Sequence, residues 1–118
     1  MDDRFVGLRL RRLEDRLTRY LGWLLRSLQK EVEVALDRSW NGLEGHRPGL
    51  AEAKGAVWQR LRSEQVAFHP LLQRICRNLR PVRSDEVRCF ELVRSFVHAR
   101  RKFLLTWIED SDRSTRGA

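Results

Sequence analysis

The chain has 118 residues, of which 42% are hydrophobic and 34% charged, and its formal net charge is +8. This length suits one folded domain over residues 1–118 and is too short for two. No stretch approaches the ~20 consecutive apolar residues of a membrane span, and the N-terminus lacks the apolar core of a signal peptide. With only two cysteines and no disulfide framework, we expect a cytoplasmic protein with no membrane partner.

Arginine dominates the basic residues, since 21 of the 24 Lys and Arg side chains are Arg. Arg is favoured where planar, forked contacts to phosphate or carboxylate matter, although a GC-rich genome also raises its frequency. The excess is uneven: residues 41–83 carry a net charge of +5, against +2 for residues 1–40 and +1 for residues 84–118. The preference for Arg therefore fits an acidic partner and genome composition equally well.

The first predicted helix covers residues 4–39. Its apolar residues, from Val6 to Leu28, recur at steps of three and four, which is the period of an amphipathic helix. The opposite face carries a row at alternating steps of four and three: Arg12, Arg16, Arg19, Trp23, Arg26 and Lys30. Either this row is a solvated face whose Trp covers a neighbouring helix or subunit, or it is a binding surface.

The second predicted helix covers residues 48–80, after the Gly- and Pro-containing stop at residues 41–49. Pro70 lies inside its apolar stripe. Because Pro lacks a backbone donor and clashes with the preceding turn, we predict a kink or a break at residues 69–70, where Pro70 starts a separate short helix. The end of this segment carries a second basic cluster at steps of three, although helix C-termini attract cations anyway: Arg74, Arg77, Arg80 and Arg83.

The third predicted helix covers residues 85–109, followed by a loose tail at residues 110–118. Ser84 is its predicted N-cap, and Asp85 and Glu86 lie in the first turn, where the helix dipole favours acids. Arg100 falls on the apolar face. We expect it to snorkel, to pair with an acid on a neighbouring helix, or to line a seam used by another subunit or nucleic acid. Together these segments predict an all-α, compact bundle of three long helices with no sheet.

Residues that could support catalysis or metal binding are few. The sequence lacks a Gly-rich phosphate loop, an HExxH motif and a nucleophile elbow, so we expect no catalytic residue, no metal and no cofactor. A hairpin turning near residue 83 would bring Cys76 to Cys89 and His69 to His98. Each Cys is about 10–13 Å along its helix from the nearest His, which is too far for one zinc ion. A Cys76–Cys89 disulfide is geometrically conceivable, but a reducing compartment argues against it.

The two basic clusters together are typical of a surface that binds a phosphate backbone. No helix-turn-helix, RNP or KH signature is present, so we expect contacts to phosphate and sugar rather than to base edges. Trp23 adds a surface that can stack on a base or cover a sugar. The predicted nucleic-acid-binding residues, for RNA or single-stranded DNA, are Arg12, Arg16, Arg19, Trp23, Arg26, Lys30, Arg74, Arg77, Arg80, Arg83 and Arg101.

The second half of the chain resembles a known family. The segments GLAEAKGAVWQRL (49–61), FHPLLQRI (68–75) and CFELVRSFVHARRKF (89–103) are similar to the small all-helical subunit of CRISPR effector complexes, especially the type III small subunit. The resemblance covers roughly residues 49–105 and departs from the family at its Tyr positions and in the long N-terminal helix. It implies a non-catalytic subunit of an antiviral ribonucleoprotein, with several copies stacked along a guide RNA–target duplex or a displaced strand.

Two alternatives remain open at this stage. The stretch SWNGLEG places Trp40, Asn41 and Gly42 between two long helices, which resembles the WxG hairpin of small secreted proteins of the type VII pathway. The net charge of +8, the third helix and the missing C-terminal export motif count against it. The other alternative is a helical scaffold that binds only proteins. A 14.0 kDa domain offers little surface, so we expect it to act in several copies or with other subunits, with Trp40, Trp58 or Trp107 at the contacts.

Overall fold

The computed structural model describes residues 3–40, 49–80 and 82–116, with side chains over residues 9–40, 49–80 and 82–110. These ranges form three helices, α1 (Asp3–Ser39), α2 (Leu50–Arg77) and α3 (Arg83–Arg116), and contain no strand. The predicted all-α three-helix bundle is confirmed. The bundle is elongated, with extents of 65 × 21 × 18 Å. None of the helices in the described ranges is long and apolar enough to cross a membrane.

Helix α1 is the central element and packs against both other helices. Its amphipathic period explains why, since one face consists of leucines and a valine at steps of three and four. These residues are buried and supply the largest share of the core: Leu13, Leu17, Leu21, Leu25, Leu28, Val32 and Leu36.

The directions of the helices follow from contacts along α1. Arg9 pairs with Glu86 at 2.8 Å near one end, and Trp40 packs on Trp107 near the other, so α1 and α3 run parallel. Lys54, near the start of α2, pairs with a residue near the end of α1, so α1 and α2 run antiparallel. The start of α1, the end of α2 and the start of α3 therefore share one end of the bundle.

Trp40 closes the core at the opposite end. It is buried, and its ring centroid lies 5.2 Å from that of Trp107. Trp40 is thus used within the chain's own core, whereas Trp58 stays exposed on α2. The rest of the WxG-like motif, Asn41 and Gly42, and most of the predicted stop at residues 41–49 lie outside the described residues.

Helix α2 continues through Pro70 without interruption from Leu50 to Arg77. The prediction that Pro70 starts a separate helix is therefore wrong. Pro70 and Val66 are both exposed, so the Val66 carbonyl that loses its helical donor lies on the side open to water. Phe68 and Leu72 pack into the core on either side of Pro70, and this packing holds the helix together against the local preference of Pro.

Helix α3 differs from the prediction at both ends. It begins at Arg83, and the Val82 carbonyl accepts hydrogen bonds from the amides of Asp85 and Glu86, so Ser84 lies inside the first turn instead of capping it. Asp85 and Glu86 occupy the first turn as predicted. Residues 110–116 are helical, not a loose tail, because extending an existing helix costs far less than starting one.

Large side chains fill the seam between α2 and α3. The rings of Phe68 and Phe96 stack with centroids 4.1 Å apart, and the Arg60 guanidinium lies 4.2 Å from the centroid of Phe103. Between these pairs, Arg100 forms an ion pair with Glu64. This confirms one of the expectations for Arg100, namely that it pairs with an acid on a neighbouring helix.

Candidate nucleic-acid interface

The predicted cationic row lies on the surface of α1 that faces away from the leucine core. All six of its residues are exposed, and Trp23 keeps 58% of its surface accessible. Among the side chains that the structure describes, none of the row's five cations forms an ion pair. Two of them, Arg19 and Arg26, donate through Nε to backbone carbonyls one turn earlier, at 3.5 and 3.3 Å. The row therefore presents cations that form no ion pair with a carboxylate of the described residues.

Trp23 is supported by a small aromatic cluster between α1 and α3. Its ring is nearly parallel to that of Tyr20, with an interplanar angle of 16° and centroids 6.4 Å apart. Tyr20 in turn packs on Phe90 of α3 at 5.3 Å, and the Arg16 guanidinium lies 5.3 Å from the same Phe90 ring. These contacts hold an exposed indole between the cations of the row, where an aromatic face is open to stacking.

The second basic cluster lies at the end of the bundle, whereas the α1 row runs along its side. Arg74 and Arg77 are exposed in the last turn of α2, where they complement the helix dipole. Arg80 lies 3.6 Å from the Asp85 carboxylate, and Arg83 is exposed at the start of α3. The structure thus places this cluster at the same end of the bundle as the beginning of the row.

Arg101, like Arg80, already has a carboxylate partner. Its guanidinium donates to the Glu31 carboxylate, with Nη2 at 2.7 Å and Nε at 2.8 Å from Oε1. The hydrogen bond and the negative charge of Glu31 raise the pKa of Arg101 above its ordinary value. A phosphate would have to displace Glu31 to take the same donors.

A groove that sequence reasoning missed separates α1 from α3 beside the row. Its volume is about 750 Å³, with Leu24, Leu28 and Val97 among its lining residues. Arg94, His98 and Lys102 line its α3 side at steps of four, so they fall on one face of that helix. This step was visible in the sequence, but the sequence did not show that α1 faces the same stripe.

The two cysteines are buried and unbonded. Burial, followed by the negative charges of Cys89 and Glu14, raises the pKa of Cys76 from 9.0 to about 11. Burial first, and then Asp85 and Glu86, also raise the pKa of Cys89. At neutral pH both residues are therefore thiols, which are poor nucleophiles and poor metal ligands. Within the described residues, no group of three or more His, Cys, Asp or Glu side chains is placed to hold a metal ion.

Comparison of the chain with protein-family models, with curated proteins and with solved structures gives no match. The resemblance to CRISPR small subunits accordingly stays a prediction from the sequence. The geometry combines a row of cations without ion-pair partners in the described part of the chain, an exposed indole within it, and an adjacent groove with further basic side chains.

Proposed function

We propose that this protein is a non-catalytic nucleic-acid-binding subunit of a ribonucleoprotein complex. It contacts the backbone of RNA or single-stranded DNA through the cationic row of α1, without reading sequence. The observation that carries the proposal is the exposed row, whose five cations have no ion-pair partner among the described residues and flank the half-exposed Trp23. The specific form suggested by the resemblance is a cytoplasmic CRISPR effector small subunit in antiviral defence.

The dimensions of the row suit a nucleic-acid strand. From Arg12 to Lys30 the helix rises about 27 Å, long enough for several consecutive phosphates. Each phosphate neutralised by a side chain releases condensed counterions. For a single strand, the logarithm of the binding constant therefore falls by about 0.7 per contact for each tenfold rise in salt concentration. The salt dependence of binding therefore counts the contacts that the row makes.

The central experiment compares two triple variants in a salt titration with labelled oligo(U) and oligo(dT). Replacing Arg16, Arg19 and Arg26 with Ala should weaken binding to both probes and flatten the log–log salt slope by about two units.

The matched control removes three exposed arginines outside the row, Arg38, Arg62 and Arg88. It lowers the net charge equally and should change the slope much less. Equal slopes for the two triple variants would show that binding follows overall charge and not this row.

Trp23 is tested separately because it carries no charge. Trp23→Ala should weaken binding by about 1–3 kcal/mol while leaving the salt slope nearly unchanged. Trp58→Ala is the control, since Trp58 is also exposed but lies on α2 under the Arg62 guanidinium. If Trp23→Ala lowers the melting temperature and leaves affinity intact, Trp23 is a packing residue and the row is a solvated face.

A protein-binding role is the second candidate function, and a separate surface favours it. Leu71, Leu92 and Phe103 are each about half exposed. The Phe68–Phe96 and Arg60–Phe103 contacts set the α2–α3 register, which places these three apolar residues along the open side of that seam. This surface would serve other subunits or further copies of the chain. Light scattering of the purified wild type and of the double variant Leu71→Ser/Leu92→Ser tests this protein-binding role. A wild type that is strictly monomeric and co-purifies with no partner would count against the role.

A further inference from the structure

Basic residues line the α3 side of the groove between α1 and α3, together with the acid Glu91, and the cationic row lies next to the α1 side. On the α3 side, Arg94 and Lys102 are exposed two turns apart, with His98 between them. On the α1 side, the groove borders the cationic row, because Ser27 of its lining lies one helical turn after Trp23 on the same side of the helix. The groove therefore runs between two sources of positive charge.

The width of the groove favours single-stranded over double-stranded nucleic acid. Packed helices lie about 8–10 Å apart, so a groove between them admits one strand, whereas a duplex would touch only its rims. An exposed Trp within the bordering row adds to this preference, because only an unpaired base can leave its neighbours to stack on an indole.

One ion pair crosses this groove. Glu31 on α1 holds Arg101 on α3, and the two side chains keep 44% and 43% of their surface accessible. A phosphate oxygen accepts from a guanidinium in the same geometry as a carboxylate oxygen does. Exposed ion pairs contribute little stability, so exchanging the carboxylate for a phosphate is inexpensive for the fold.

We infer that the α1–α3 groove seats the phosphate backbone of a single strand, and that Glu31 competes with the phosphate for Arg101. This inference rests on the proposed function and adds to it a binding path, a strand preference and an inhibitory residue. Glu31 acts twice against binding, since it occupies the Arg101 donors and leaves a negative charge beside the incoming phosphate. Removing its charge strengthens binding, in contrast to every variant of the cationic row.

The test measures affinity for labelled oligo(U) and oligo(dT) by fluorescence anisotropy across a salt series. Glu31→Gln should bind about two- to fivefold more tightly than the wild type and steepen the salt slope by about 0.7, the value for one added phosphate contact. Asp37→Asn is the matched control. It removes the same charge from α1 and frees Lys54 across the α1–α2 seam, away from the groove, so it should change the slope little.

A second variant ties the effect to Arg101. In Glu31→Gln/Arg101→Ala the gain in affinity and the steeper slope should both disappear, while thermal melting confirms that each variant is folded. If Glu31→Gln behaves like Asp37→Asn, or if Arg101→Ala leaves the gain intact, the inference is overturned. If the inference about Glu31 fails in this way but the variants of the cationic row still weaken binding, the proposed function is retained without the inference. If the wild type binds neither probe, both the proposed function and the inference are refuted.

Discussion

The ion pair between Glu64 and Arg100 allows a direct test of how the α2–α3 seam is held. Arg100 approaches Glu64 from α3 and lies over the Phe96 ring, with its guanidinium carbon 4.8 Å from the ring centroid. Glu64 also forms an ion pair with Arg60 of its own helix, with Arg60 Nε 3.3 Å from Glu64 Oε1. Glu64 Oε2 and Arg100 Nε are buried and face each other as an ion pair without the angles of a regular hydrogen bond. One carboxylate thus serves two guanidinium groups.

The expected cost of breaking this pair follows from its burial. Removing one partner of a fully buried pair costs about 3–5 kcal/mol, whereas exposed pairs contribute about 0–1 kcal/mol. Glu64 is 19% exposed and Arg100 37% exposed, so this pair lies between the two cases. We expect Glu64→Leu to lower the free energy of unfolding by about 1–3 kcal/mol, because Arg100 is left among aromatic rings without its counter-charge.

Urea denaturation followed by circular dichroism measures the effect. The double variant Glu64→Leu/Arg100→Met should recover most of the loss, since apolar side chains of similar size can replace a buried pair without penalty. Asp37→Asn, which breaks an exposed pair, should cost less than about 0.5 kcal/mol. A double variant as unstable as Glu64→Leu alone would refute the reasoning, because the loss would then come from packing and not from the unpaired charge.

Three further predictions concern the helices and the core. Pro70→Ala should stabilise the protein by about 1–3 kcal/mol, because it restores a helical donor within a continuous helix; a loss of stability in urea denaturation would contradict this. The folded state holds the Cys76 proton more tightly than the unfolded state, so the contribution of Cys76 to stability is complete below pH 9.0 and is lost as pH rises towards about 11. The difference in stability between the wild type and Cys76→Ala should shrink by up to about 2.7 kcal/mol over that range, and a constant difference would be the contrary result. Leu17→Ala should cost about 2–5 kcal/mol and the exposed Val34→Ala less than about 0.5 kcal/mol, with the two distinguished by thermal melting.

The features of α1 were predictable because a single helix determines them. The apolar period fixes which face is buried, and the remaining residues then fall on the opposite face whatever packs against the helix. The exposure of Trp23 and the burial of Leu13 and Leu17 follow from that period alone. The pairing of Arg100 was predictable for a related reason, since a charge on an apolar stripe needs a counter-charge from a neighbouring helix.

The ends and breaks of helices were less predictable because they depend on tertiary packing. Pro70 carries a strong local signal for a break, but Phe68 and Leu72 on either side of it are held by the core. The polar stretch after Glu109 reads as a tail, yet it continues a helix that is anchored by Leu104 and Ile108. In each case a local preference of a few kcal/mol is opposed by contacts that the sequence does not display.

The groove could not be predicted because it depends on the register between two helices. Glu31 and Arg101 are 70 residues apart in the chain, and only the parallel packing of α1 and α3 brings them together. From the sequence we therefore counted Arg101 among the unpaired cations, weighed His98 only as a metal ligand, and did not consider Arg94 and Lys102. The row on α1 belongs to one helix, whereas the groove belongs to a pair of helices.

In the described part of the chain, cations at the helix seams have acidic partners, whereas those on the outer face of α1 do not. Within the described residues, four basic side chains pair with acids across helix seams: Arg9, Lys54, Arg100 and Arg101. The cations of the α1 row have no such partner, and neighbours of like charge three and four residues apart destabilise a helix by about 0.2–0.5 kcal/mol per pair. Under the proposed function, a polyanion bound along the row would both reduce this repulsion and cover Trp23, so one partner would act on both features.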